Sequence, residues 1–217
     1  MGSRSKIFGI GINDADYVTA PVINGKQVPC PIYNSWKAML ARCYSERYQK
    51  KEPTYVGCYV SNDWLMFSEF RKWVLSQDHE GLHLDKDILI FDNRVYAEDR
   101  CAYVPRFVNN CFRSPTNGLH AGDLPMGVSA PKKMSSSPRP YAACISSVTK
   151  KSHHLGHFST VEEAHSAWQK AKIEKIRLTG DQYSDHPSCR NDVLSAIYDR
   201  ADIVEQSWRL GIMTKTV

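Results

Sequence analysis

Residues 160–178, TVEEAHSAWQKAKIEKIRL, constrain the fold more than any other stretch. Thr160 with Glu163 three positions on is a capping box, which satisfies the first amides of a helix. Val161, Ala164, Ala167, Trp168 and Ala171 then fall on one face of that helix. The face is mostly small residues, so the helix can lie close on a sheet. The segments before it supply one: MGVSAPKK, RPYAACISSV and SHHLGHFS read as three short strands joined by basic loops. A helix packed on a three-stranded antiparallel sheet puts the chain in the α+β class.

The rest of the chain is organised around that unit. Residues 1–29 read as an arm or edge strand, and GIGIND lacks the G-K-[ST] and the following helix of a phosphate loop. From Pro31, Trp36, Met39, Leu40, Cys43 and Tyr44 fall on one helical face. Pro53 and Gly57 end that pattern. A second helix is expected from Ser61 or Asn62, with Met66, Phe67, Phe70, Trp73 and Val74 packing against the first. Residues 113–125 are a linker rich in turn formers. Residues 126–180 form the sheet-and-helix unit, and residues 181–217 a C-terminal helical extension with its helix from about Asp192 to Leu210. No stretch approaches the roughly 20 apolar residues that span a bilayer, and the expected compartment is the cytoplasm. Seven cysteines with no C-x-x-C spacing read as reduced, mostly buried thiols; a zinc site of Cys43, Cys58 and Cys101 is the minor alternative.

Charge is unevenly spread. Residues 1–112 hold 14 basic and 13 acidic side chains, residues 113–178 hold 10 and 4, and residues 179–217 hold 4 and 6. The excess that makes the chain +5 therefore sits in and beside the sheet unit. Lys132, Lys133, Arg139, Lys150, Lys151, His153 and His154 cluster in its strands and turns. A β-ribbon enters a major groove about 12 Å wide, and these side chains suit phosphates and base edges. Double-stranded DNA is the expected partner. The motifs MGVS, YAACIS, HLGHFSTVEEAHSAW and the AK that follows resemble the APETALA/ethylene-response-factor type of DNA-binding domain. That resemblance implies a sheet in the major groove with the helix behind it.

Residues 82–110, LHLDKDILIFDNRVYAEDRCAYVPRFVNN, carry the second constellation. LHLDKDILI reads as a strand with Asp85 and Asp87 on one face, VYA as a second strand, and YVPRFVNNCF as a helix with Pro105 in its first turn. Strand, strand and helix are the parts of a one-metal nuclease, which needs oxygen ligands for a hard cation and a base for water. With GIGINDADY, YNSWKAMLARCY, PTYVGCYV, DWLMFSEF, LDKDIL, NRVY and CAYVPRFVNN, the chain resembles phage-encoded HNH proteins of homing-endonuclease type. The resemblance implies Mg²⁺ or Mn²⁺ held by Asp85 with Asn109 or Asn110. It places Lys86 where the family has its histidine base, and its central asparagine near Asp99 or Arg100. His83, two residues before Asp85, is the substitute base, with Asp87 and Asn93 nearby. The expected function is a DNA endonuclease acting in an infected bacterial host. The alternatives are a DNA-binding protein that keeps the nuclease fold as a scaffold, or a factor directed at a host or rival-element protein.

Overall fold

The computed structural model describes residues 6–112, 124–146 and 152–214. The chain is α+β and divides into two compact units, Met1–Val104 and Pro105–Val217. Among the described residues, no helix is long and apolar enough to cross a membrane.

In the first unit the arm is part of the core. The backbone N–H of Ile12 donates to the Leu65 carbonyl at 2.8 Å, and that of Phe67 to Ile12 at 3.0 Å. Gly11 is there because a Cβ would sit 2.4 Å from Leu40 Cδ1 and 3.0 Å from the Trp36 ring, so the glycine of GIGIND serves packing. Strands β1 (Val22–Ile23) and β2 (Lys26–Gln27) form a hairpin through Asn24 and Gly25, both at positive φ, as the primed two-residue turns require. Helix α1 (Pro31–Tyr44) buries Tyr33, Trp36, Met39, Leu40 and Cys43, the face expected from spacing. Ser45 then caps a short helix, α2 (Glu46–Lys51), accepting the Tyr48 N–H.

Strand β3 (Tyr59–Val60) precedes a 3₁₀ turn at Asp63–Leu65 and helix α3 (Phe67–Leu75). The helix begins later than Ser61 or Asn62, because its cap comes from the arm. Asp14 accepts the Ser68 N–H at 2.9 Å and the Ser68 hydroxyl at 2.5 Å. Phe67, Phe70, Trp73 and Val74 are buried, and the Trp36 indole N–H donates to the Trp64 carbonyl at 2.7 Å, which satisfies that buried donor. Strand β4 (His83–Asp85) is followed by β5 (Val95–Tyr96) and β6 (Ala102–Val104). The strands read from LHLDKDILI and VYA do not pair with each other: β5 pairs parallel with β3, and β4 pairs antiparallel with β6. Tyr103 and Val104 therefore belong to a strand rather than to the helix that follows.

In the second unit, helix α4 (Arg106–Phe112) begins after Pro105, whose carbonyl accepts the Val108 and Asn109 N–H groups. Strands β7 (Val128–Ser129), β8 (Tyr141–Ser146) and β9 (Ser152–Phe158) form an antiparallel sheet in that order. Helix α5 (Val161–Ser184) packs on it through Ala164, in one cluster with Val128 and Ala143. The Thr160 hydroxyl accepts the Glu163 N–H, while the Glu163 carboxylate accepts from Ser159. Gly127 lies against the Trp168 ring at φ +77; any Cβ there would come within 1.9 Å of the indole. Helix α5 runs past Leu178, the last residue of the helix read from sequence, through GDQYS to Ser184. Gly180 makes this possible, since a Cβ would meet the Tyr198 ring at 2.8 Å: the glycine is the contact point of two helices, not a break. Helix α6 (Asn191–Arg209) covers α5 with Val193, Ile197, Ala201 and Val204.

Candidate functional site

The first candidate lies where β4 ends. Asp85 Oδ1 accepts the backbone N–H of Asp87 at 2.7 Å and of Ile88 at 2.8 Å. Such a side-chain turn takes the chain out of the ladder. The strand is three residues long, and Asp87 is not on a strand face beside Asp85 as the alternation implied. Burial pushes the Asp85 carboxyl above its usual range and the neighbouring Asp87 charge adds to this, against the two N–H bonds.

Lys86 points inward and is 7% exposed. Its Nζ donates to Asp87 Oδ1 at 2.6 Å and to the Asn93 carbonyl at 2.6 Å. Asn93 answers it: Nδ2 donates to the carbonyls of Lys86 at 2.6 Å and Val95 at 2.7 Å, and Oδ1 accepts the Val95 N–H at 3.0 Å. The two side chains close the loop between Lys86 and Val95 like crossed struts. An ammonium donating in this way has no lone pair to offer water, so Lys86 has the geometry of a loop brace rather than a base. The residue that sits beside Lys86 is Asn93, not Asp99 or Arg100. Asp99 and Arg100 form an outward ion pair at 3.7 Å.

His83 is exposed at the start of β4, opposite Val104. Asn109 and Asn110 lie on α4 in the second unit, half-buried and exposed respectively. Arg42, which spacing assigned to no role, donates to Tyr96 Oη at 3.4 Å and lies 5.8 Å from the Tyr55 ring centre. Burial pushes the Tyr55 phenol up, Arg42 opposes this, and Asp87 and Asp85 add to the rise. Cys43, Cys58 and Cys101 are buried in the core. Burial with Cys58 nearby pushes the Cys43 thiol up to about 12, and burial raises Cys101 as well, which disfavours the thiolates a zinc site needs. Among the described residues no group of three or more His, Cys, Asp or Glu could hold a metal ion. Magnesium keeps most of its waters and takes one or two carboxylates. Asp85 with Oδ1 already in a turn, and Asp87 tied to Lys86, offer it a sparse donor set.

The second candidate is the sheet. Ala143 faces α5, so Ala142 and Cys144 point the other way. Their partners on β9 are His157 and His154. Residues 154 and 157 would lie on opposite faces of a regular strand. The irregularity at Ala143/Cys144, where Leu155 has no partner and Gly156 takes φ +138, brings them to the same face. The rings are 4.7 Å apart and nearly perpendicular. His154 Nδ1 lies 3.8 Å from Cys144 Sγ and 3.3 Å from the Ala143 carbonyl. His157 Nδ1 is buried with no partner among the described residues.

His153 pairs with Ile145, on the α5 side by alternation, so of the two adjacent histidines only His154 belongs to the outer face. His157 and Cys144 were missed by spacing; Gly156 inside a strand was the signal that parity would slip. Lys132 and Lys133 are exposed in a 3₁₀ turn between β7 and β8, and Arg139 is exposed just before β8. Lys150 and Lys151 lie outside the described residues. Comparison of the chain with protein-family models, curated proteins and solved structures gives no match.

Proposed function

We propose that the chain binds double-stranded DNA through the outer face of the β7–β8–β9 sheet, as a phage-type protein acting in the cytoplasm of an infected bacterium. The observation that carries this reading is the sheet itself: α5 covers one face, while His154, His157 and Cys144 line the other. Exposed Lys132, Lys133 and Arg139 lie in the turn beside it. Positive side chains around a β-ribbon provide phosphate contacts, and the polar groups on its face can address base edges. The HNH-like corner then acts as a scaffold, since Lys86 braces a loop where a nuclease needs a base. The test is selection from a random-sequence duplex pool, followed by titration at several salt concentrations. A linear fall of log affinity with log salt supports the reading, and no retention of duplex at low salt overturns it.

A second reading is a metal-dependent DNA endonuclease. The half-buried Asp85 favours it, because a carboxyl raised by burial beside another carboxylate gains from a nearby cation. Asp85 would hold Mg²⁺ or Mn²⁺ in the first unit, and His83 would serve as base. Plasmid nicking by the parent but not by Asp85→Ala supports this reading. No nicking with either metal leaves the scaffold reading standing.

A further inference from the structure

The C-terminal segment after α6 folds back on the start of α5, where His165 and Gln169 hold it. His165 is 2% exposed. Its Nδ1 lies 3.0 Å from the Met126 carbonyl, and its Nε2 lies 2.9 Å from the backbone nitrogen of Thr214. An amide can only donate, so Nε2 must carry a lone pair. A carbonyl can only accept, so Nδ1 must carry the proton. The contacts at both ends thus demand one neutral tautomer. One turn along α5, Gln169 Nε2 donates to the Ile212 carbonyl and to Thr214 Oγ1, each at 2.9 Å. Thr214 is 6% exposed, whereas Ile212 and Met213 beside it are 54% and 38% exposed. The segment is a strap held by polar contacts at two side chains and not by burial of its apolar residues.

We propose that His165 is a protonation-controlled latch for this strap: the neutral ring holds residues 212–214 against α5, and the imidazolium releases them while keeping its bond to Met126. Charging the ring puts a proton on Nε2, which faces the donor N–H of Thr214 and cannot accept it. Nδ1–H still donates to Met126, so the start of the sheet stays anchored. The change is confined to the strap.

The surroundings leave the ring's charge to solvent pH. Trp168 stacks on it at 5.4 Å and supplies no proton acceptor. On α5, Glu162 is exposed and Lys170 lies over the Trp208 ring at 4.9 Å. On α6, Arg209 pairs with Glu205. Burial lowers the imidazole's affinity for protons and the Met126 carbonyl works against this, with no charged side chain among the described residues adding to either. Release therefore comes on the acid side of the ordinary histidine range.

The test is amide exchange and imidazole ¹⁵N shifts in the full chain between neutral and mildly acid pH. The Thr214 amide is expected to lose protection about tenfold per pH unit below the midpoint of the His165 ring, after correction for intrinsic exchange, while the amides of β8 stay protected. In His165→Gln the side-chain oxygen can accept from Thr214 and does not titrate, so protection should be flat with pH. Protection that ignores the ring's titration in the parent overturns the proposal, as does acid release that persists in His165→Gln. Simultaneous opening of β8 also overturns it, because that is global unfolding. Should His165→Gln fail to fold, the coincidence of the two midpoints in the parent decides alone.

Discussion

The corner at β4 and the outer face of the β7–β8–β9 sheet are both rich in polar side chains, but they use them differently. In the corner, Asp85, Lys86 and Asn93 spend their donors and acceptors inside residues 85–95: Asp85 on the N–H groups of Asp87 and Ile88, Lys86 on the Asp87 carboxylate and the Asn93 carbonyl, and Asn93 on the backbone of Lys86 and Val95. On the sheet, His157 has a buried nitrogen with no partner among the described residues, and Lys132, Lys133 and Arg139 are exposed. Polar groups satisfied internally hold a shape, and removing one strands its partner at a cost of about 1–3 kcal/mol. Groups still able to take a partner are where a ligand gains free energy. The contrast teaches that a cluster which looks catalytic by composition can be architecture, while groups still open to a partner lie on a less conspicuous face.

The strongest way to break that comparison is Asn93→Ala. It strands the carbonyls of Lys86 and Val95 and should cost roughly 4 kcal/mol, read as a lower urea midpoint. DNA affinity of the folded fraction should change less than about twofold. A fall in affinity without a fall in stability would make the corner a binding site.

Lys172 sharpens the contrast from within the second unit, because there too a cation is spent internally. Its Nζ donates to the Cys111 carbonyl at 2.6 Å, and burial lowers its pKa to about 8. Between about pH 8 and the ordinary lysine value near 10.5, the unfolded chain holds a proton that the folded chain has lost. Stability therefore rises with pH across that window, by on the order of 3 kcal/mol. Below it, the buried charge is a standing cost. Lys172→Met should remove this rise, and the parent-minus-variant difference in chemical denaturation isolates it from the buried thiols.

The triple variant Lys132→Ala, Lys133→Ala, Arg139→Ala addresses the sheet side. It should weaken duplex binding by about thirtyfold at low salt and flatten the salt slope by about 0.9 per lost phosphate contact, with an unchanged melting temperature. An unchanged slope would remove this turn from the interface. The smallest effect expected is for Asp14→Ala, which uncaps α3 and should cost about 1 kcal/mol, measured by thermal melting, with no effect on DNA. A larger loss would mean that the arm is held chiefly by this contact.

Legibility followed the range of the interaction. The buried face of α1, the Thr160 cap of α5 and the three short strands before it follow from neighbours within a few residues. The Asn93 brace was not legible, because an asparagine in a turn has many local partners, and its bonds to Lys86 span seven residues. The extent of α5 was misread at Gly180, because a glycine at a helix contact and a glycine at a helix end are the same letter. The outer-face histidines were half read, since one unpaired residue in β9 reverses the parity of all those after it.

Local periodicity and turn chemistry thus determined the class, most helices and the site of the charge excess, because those depend on spacings of one to four residues. The tertiary structure decided which strands pair and which end of the arm caps α3. It also decided whether Lys86 faces solvent or a carbonyl, and which histidines share a face. Those outcomes depend on groups far apart in the chain meeting at hydrogen-bond distance, and no local pattern encodes that meeting.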